Sequence, residues 1–193
     1  MSEPTTVLTD YALAAVSAFL GYRLIPRSRF WATAFLALAL GALLGGTWHG
    51  FSQSDLLWKS TTLSVGVASF GMVAGSANGV TTGGLRGTLI AFALVKLIAY
   101  AAWMLFHEDF IWVVADTASA LLIVGILHAW RFNGWMLAGV AVSVSAGLAQ
   151  ASGLALHAHF NHNDLYHVLQ TAAMFLFYRG VGRYATEGSR PST

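Results

Sequence analysis

The chain has no cysteine, few charges and no long polar stretch, and each shortage excludes something. Without cysteine there is neither a disulfide nor a thiolate metal site. Only 9% of its 193 residues are charged, against about 25% in a soluble domain. Ten basic and eight acidic side chains cannot cover the surface of a water-soluble protein this size. A soluble enzyme, a disordered tail and a nucleic-acid binder are therefore excluded as classes. No fixed-period repeat and no Pro- or Gly-broken helix pair is present, which argues against a repeat-built transporter. The first ten residues hold Glu3 and Asp10 but no basic residue, so the positive start of a cleaved signal peptide is missing.

What is there is apolar. Hydrophobic residues make up 56% of the chain, and the mean hydropathy is +0.64. A bilayer span needs about 20 mostly apolar residues. Seven runs qualify, at 10–26, 29–49, 56–77, 85–106, 109–129, 133–157 and 164–182. The short stretches between them leave no room for an extramembrane domain. The expectation is an all-α, single-domain bundle of seven transmembrane helices over residues 1–193, multi-pass in a bacterial inner (cell) membrane, with membrane lipids as its surroundings.

The formal charge of +2 and the isoelectric point of 9.2 reflect orientation rather than a polyanionic partner. Arg23, Arg27 and Arg29 lie between the first two spans, Arg86 between the third and fourth, and Arg131 between the fifth and sixth. Arg179, Arg183 and Arg190 lie at or beyond the end of the seventh. All eight arginines thus fall on one side, and most acids, including Asp55, Glu108 and Asp109, on the other. The positive-inside rule then puts the N-terminus outside and the C-terminus in the cytoplasm. Tryptophans near the span ends, among them Trp48, Trp58, Trp103 and Trp135, fit an interfacial belt. Small residues such as Gly41, Gly45, Gly46, Gly71, Gly75, Ser143, Gly147 and Gly153 are expected to mark close helix contacts.

With that orientation six of the seven histidines gather at the outer face: His49, His107, His157, His159, His162 and His167. Imidazole is the commonest metal ligand and is scarce in lipid-facing sequence. Interfacial histidines also snorkel or bond backbone carbonyls, so any single one carries little weight. The stretch from His159 to Thr171 is the densest polar segment. On a helix starting near Asn163, residues Asp164, His167 and Thr171 share one face, with Gln170 one turn after His167. Asp164 is a candidate ligand, a candidate helix cap, or an acceptor for a ligating imidazole. Two intramembrane charges remain. Lys96 lies roughly 15 Å and Asp116 roughly 10 Å below the outer end of their spans at 1.5 Å per residue. They are expected to pair with each other or with Gln150 and Gln170, the alternative being a proton or ion relay.

Seven spans, a histidine ending the second (Gly45-Gly-Thr-Trp-His49) and a histidine motif opening the seventh (Asn163-Asp-Leu-Tyr-His167) resemble the CREST superfamily of transmembrane hydrolases, which includes the alkaline ceramidases and the progestin and adiponectin receptors. That resemblance implies zinc held by one histidine on the second helix and two on the last. His49 and His167 match the pattern; Asn163 stands where a further histidine belongs, with His162 one place early. Gly45 replaces the family's serine, and the aspartate expected on the third helix falls near Lys59 and Ser60. The implied function is zinc-dependent hydrolysis of a lipid amide or ester near the outer surface. His49, His167 and His162 or Asp164 would hold the metal, and Asp164 would move the proton. The alternatives are a small transporter or channel using Lys96 and Asp116, and a metal-binding protein without catalysis. A retinal-type photoreceptor is disfavoured, because the seventh span lacks the Schiff-base lysine.

Overall fold

The computed structural model describes residues 3–157 and 159–187; Arg190 lies outside them. Seven α-helices hold most of these residues: α1 (Pro4–Leu24), α2 (Arg29–Gly50), α3 (Asp55–Val80), α4 (Gly83–Met104), α5 (Phe110–Trp130), α6 (Gly134–Ala151) and α7 (His162–Glu187). Among the described residues the only extended pairing is an isolated bridge between His157 and Phe160. Connections of two to ten residues join consecutive helices, the spacing of an up-and-down bundle. Side chains set several helix starts. Ser28, Ser54 and Asn133 accept from the backbone N–H of Trp31, Leu57 and Met136, covering donors that a helix start leaves unpaired.

Five helices, α2 to α6, are long and apolar enough to cross a membrane. The other two, α1 and α7, carry the polar residues Thr5, Thr6, Thr9 and Asp10, and Asn163, Asp164 and His167. Two boundaries differ most from the sequence reading. The first helix begins at Pro4, not at residue 10; proline is tolerated in a first turn because its missing N–H is not needed there. Asp10 is therefore well inside a helix and only 4% exposed, rather than at the first residue of the span. The sixth helix stops at Ala151 instead of running to residue 157. Gly153, at φ 67°, turns the chain there, and His157 and His159 fall on the loop that follows.

Helices α1, α2, α3, α5, α6 and α7 form a ring in that order, with α7 closing on α1. Helix α4 lies outside it against α3, with a lighter contact to α5. Glycine makes two of the closest approaches possible. A Cβ at Gly71 would sit 2.7 Å from backbone atoms of Phe30 and Ala34, and one at Gly46 would sit 2.8 Å from the Tyr11 ring and 2.9 Å from Asp10 Cβ. Gly147 and Gly153, expected to mark contacts, face open space instead. The ring is plugged at the arginine-bearing end by Leu24, Trp31, Phe35, Met136, Phe177 and Val181, all fully buried. Arg27 donates to the Tyr178 hydroxyl at 3.1 Å, and Arg179 lies over the Trp135 ring. The opposite end is where polar residues meet.

Candidate functional site

The site begins with how α7 starts. The Asn161 side chain accepts from the backbone N–H of Asn163 and Asp164, and Asp164 Oδ2 accepts from Asn161 N–H at 2.7 Å. This reciprocal cap fixes the first turn. One turn on, His167 faces α1: Nε2 lies 3.1 Å from Asp10 Oδ1, and Nδ1 lies 3.1 Å from the Thr9 hydroxyl. The imidazole thus stands between a carboxyl group and a hydroxyl, each within hydrogen-bond distance of one ring nitrogen. Across the ring, His49 Nδ1 lies 3.0 Å from Glu3 Oε2 at the start of α1. Two imidazoles and the carboxylates of Glu3, Asp10 and Asp164 thus collect where α1, α2 and α7 meet.

Beneath them lies a cavity of about 750 Å³, walled by every helix of the ring and by none of α4. Asp10, Trp48, His49, Gln150, Asn163 and His167 line its polar end; Leu38, Val65, Leu121, Met174 and Phe177 line the rest. Gln150 donates to Asn163 Oδ1 at 3.3 Å, tying α6 to α7 at the same level. Four buried polar atoms on lining residues have no hydrogen-bond partner in the protein: Asp10 Oδ2, Trp31 Nε1, Ser69 Oγ and Ser143 Oγ. A buried polar group left unpaired costs about 1–3 kcal/mol. All four belong to residues of one cavity wall.

The structure separates the residues singled out from sequence. His49 and His167 share the polar end of the cavity, and Asp164 stands beside them as a cap. His162, the first residue of α7, does not line the cavity. Lys96 Nζ lies 2.5 Å from Asp116 Oδ1 and donates to the Asp116 carbonyl at 2.9 Å, outside the cavity wall. Gln150 and Gln170 line the cavity and do not join that pair; Gln170 contacts the Met174 sulfur at 3.9 Å. His107 stacks on Trp103, and His128 sits deep in the bundle against the Ser76 hydroxyl. Asp10, Thr9 and Glu3 are the members the sequence reading missed. The available signal was a Thr-Asp pair at the lip of an apolar run, which reads equally well as a surface tail.

The donor types that zinc prefers are present, but the arrangement does not offer them as a set. Among the described residues no three His, Asp or Glu side chains converge to hold a metal ion. His167 has both ring nitrogens engaged by Asp10 and Thr9, and His49 has Nδ1 engaged by Glu3. The chain Asp10–His167–Thr9 has the order carboxylate, imidazole, hydroxyl, as in hydroxyl-activating sites. Thr9, however, does not line the cavity, and its hydroxyl also faces the carbonyls of Thr5 and Thr6 at 3.1 Å. The chain therefore orients His167 rather than presenting a nucleophile to a guest.

Neither the curated proteins nor the solved structures include a match to this chain. Residues 5–186 do match one family model across nearly the whole bundle, and the chain belongs to that family, DUF6962, a family of unknown function.

Proposed function

We propose that the protein is a seven-span integral membrane protein that takes a lipid-derived amphiphile into the cavity of its helix ring. The apolar part of the guest lies between Leu38, Leu121 and Phe177, and its polar group meets Asp10, His49 and His167. The observation that carries this reading is a roughly lipid-sized apolar cavity ending in a buried carboxylate oxygen, Asp10 Oδ2, with no partner in the protein. Ligand sites combine such apolar walls with a few placed polar groups. Helices α1 and α7, too polar to qualify as spans by composition alone, turn that polarity into the ring, the place where polar side chains are tolerated inside a bilayer.

The orientation that accompanies this reading has the arginine-bearing connections in the cytoplasm and the Asp10–His167 end outside, in a bacterial inner membrane. Since the native chain has no cysteine, single cysteines placed at the exposed positions Gln53 and Phe132 make the check direct. An impermeant maleimide added to intact cells should label the first and not the second.

The binding reading is tested by gentle extraction and native mass spectrometry of the full chain. Lipid-mass adducts are expected on the native protein and should be lost in Gly147→Phe. Gly147 is among the residues lining the cavity, and a Cβ added there meets nothing within 4 Å, so the position has room for a ring that narrows the cavity. Adducts that persist unchanged in this variant defeat the reading.

Zinc-dependent hydrolysis of a lipid amide or ester remains the second reading, favoured by His49 and His167 standing together at a lipid-sized cavity. It requires His49 and His167 to be released from Glu3 and Asp10. Stoichiometric zinc in purified protein, lost in His49→Ala and in His167→Ala, supports it; metal-free, well-folded protein removes it.

A further inference from the structure

We propose that the cavity selects an amphiphile with a cationic head, an amine or quaternary ammonium, and that Asp10 is the residue that selects it. The proposal rests on the amphiphile reading above and names the class of its ligand. Asp10 is 4% exposed; its Oδ1 is held by His167 Nε2, and its Oδ2 is left without a hydrogen bond on a residue that lines the cavity. A half-used buried carboxylate is an acceptor waiting for a donor that carries positive charge. Nothing of opposite sign in the wall competes for it: among the described residues that line the cavity there is no lysine or arginine. Lys59 is turned to the Leu105 carbonyl and Glu108, and Lys96 to Asp116. Glu3 and Asp164 add two more carboxylates near the same end, outside the cavity wall, so an anionic head entering there would meet like charge.

The second observation is aromatic. Trp48, Trp58 and Phe110 also line the cavity, with ring centroids 5.2 Å apart for Trp48–Trp58 and 6.0 Å for Trp58–Phe110. Indole faces attract alkylammonium groups and do nothing for carboxylates or phosphates. A carboxyl group and an aromatic cluster lining one apolar channel are the chemistry that recognises an ammonium on a hydrocarbon chain.

The experiment uses the full chain in a neutral maltoside and chain-matched probes: hexadecyltrimethylammonium, hexadecylamine, monopalmitoylglycerol, palmitate and hexadecyl phosphate. Dissociation constants are read by native mass spectrometry. The two cations are expected to bind at least about tenfold more tightly than palmitate and hexadecyl phosphate. Asp10→Asn should erase that preference, the two cations losing at least about tenfold in affinity relative to palmitate and hexadecyl phosphate. Gln150→Lys, which places a cation at the polar end without touching Asp10, should reverse the preference and serves if Asp10→Asn does not fold. Anions that match the cations on the native protein, or a preference that survives both variants, overturn the proposal and leave the cavity reading standing. Failure of all five probes to bind defeats both.

Discussion

His167 Nε2 lies 3.1 Å from Asp10 Oδ1, so the last helix is joined to the first by a hydrogen bond between two nearly buried side chains. This bond joins the two ends of the helix ring and leaves the second carboxyl oxygen of Asp10 without a partner, on a residue that lines the cavity. One contact thus serves both the architecture and the polar end of the candidate site.

Removing one partner of this pair should be costly. His167→Ala leaves the buried Asp10 carboxyl group with neither oxygen bonded, a loss of about 1–3 kcal/mol for an orphaned buried polar group. A large fall in the thermal midpoint in detergent is expected. The double variant with Asp10→Leu should recover much of it, because both polar groups then leave the apolar interior together. A midpoint unchanged in the single variant means that the pair does not hold the ring closed.

The reciprocal cap at the start of α7 makes a smaller and more local prediction. Asn161→Ala removes the acceptor for the backbone N–H groups of Asn163 and Asp164 and should cost about 1 kcal/mol. Hydrogen exchange should rise in the first turn of α7 and stay unchanged in α4. Uniformly faster exchange across the bundle would contradict a local role.

The pair on α4 and α5 tests the transport alternative. Lys96→Met alone strands the Asp116 carboxylate, whose side chain is 5% exposed, and should destabilise the fold. Lys96→Met with Asp116→Leu should return close to native stability and leave amphiphile binding intact, since neither residue lines the cavity. In liposomes, proton flux should not depend on Asp116. A flux abolished by Asp116→Asn favours a transporter instead.

Helix packing supplies a contrast between two glycines. Gly71→Ala drives a methyl group against backbone atoms of Phe30 and Ala34 at 2.7 Å and should cost about 1–3 kcal/mol as overpacking. Gly147→Ala meets open space and should gain about 0.5–1 kcal/mol from helix propensity. Thermal midpoints of the two variants should move in opposite directions.

How much was legible beforehand follows from which forces are local. Seven helices were readable because each apolar run and its polar stop are written in consecutive residues, and Ser28, Ser54 and Asn133 mark helix starts within the sequence itself. The pairing of Lys96 with Asp116 was readable too, because buried charge has few partners to choose from. The helix limits at Pro4 and Ala151 were misplaced because hydropathy does not register a proline that suits a first turn or a glycine that ends a helix.

Facing was another matter. In a soluble helix the apolar stripe tells which side turns inward; in a chain apolar on all sides that contrast fades, because lipid is as apolar as leucine. The sequence by itself therefore determined the number and kind of helices, the gathering of arginines and the shortlist of polar residues. Only the tertiary structure decided that Asp10 meets His167, that His49 turns to Glu3 and that His162 stands apart. Those choices depend on how α1, α2 and α7 rotate against one another, and that rotation is set by close approaches such as Gly46 on Tyr11 and Asp10, between residues far apart in the chain.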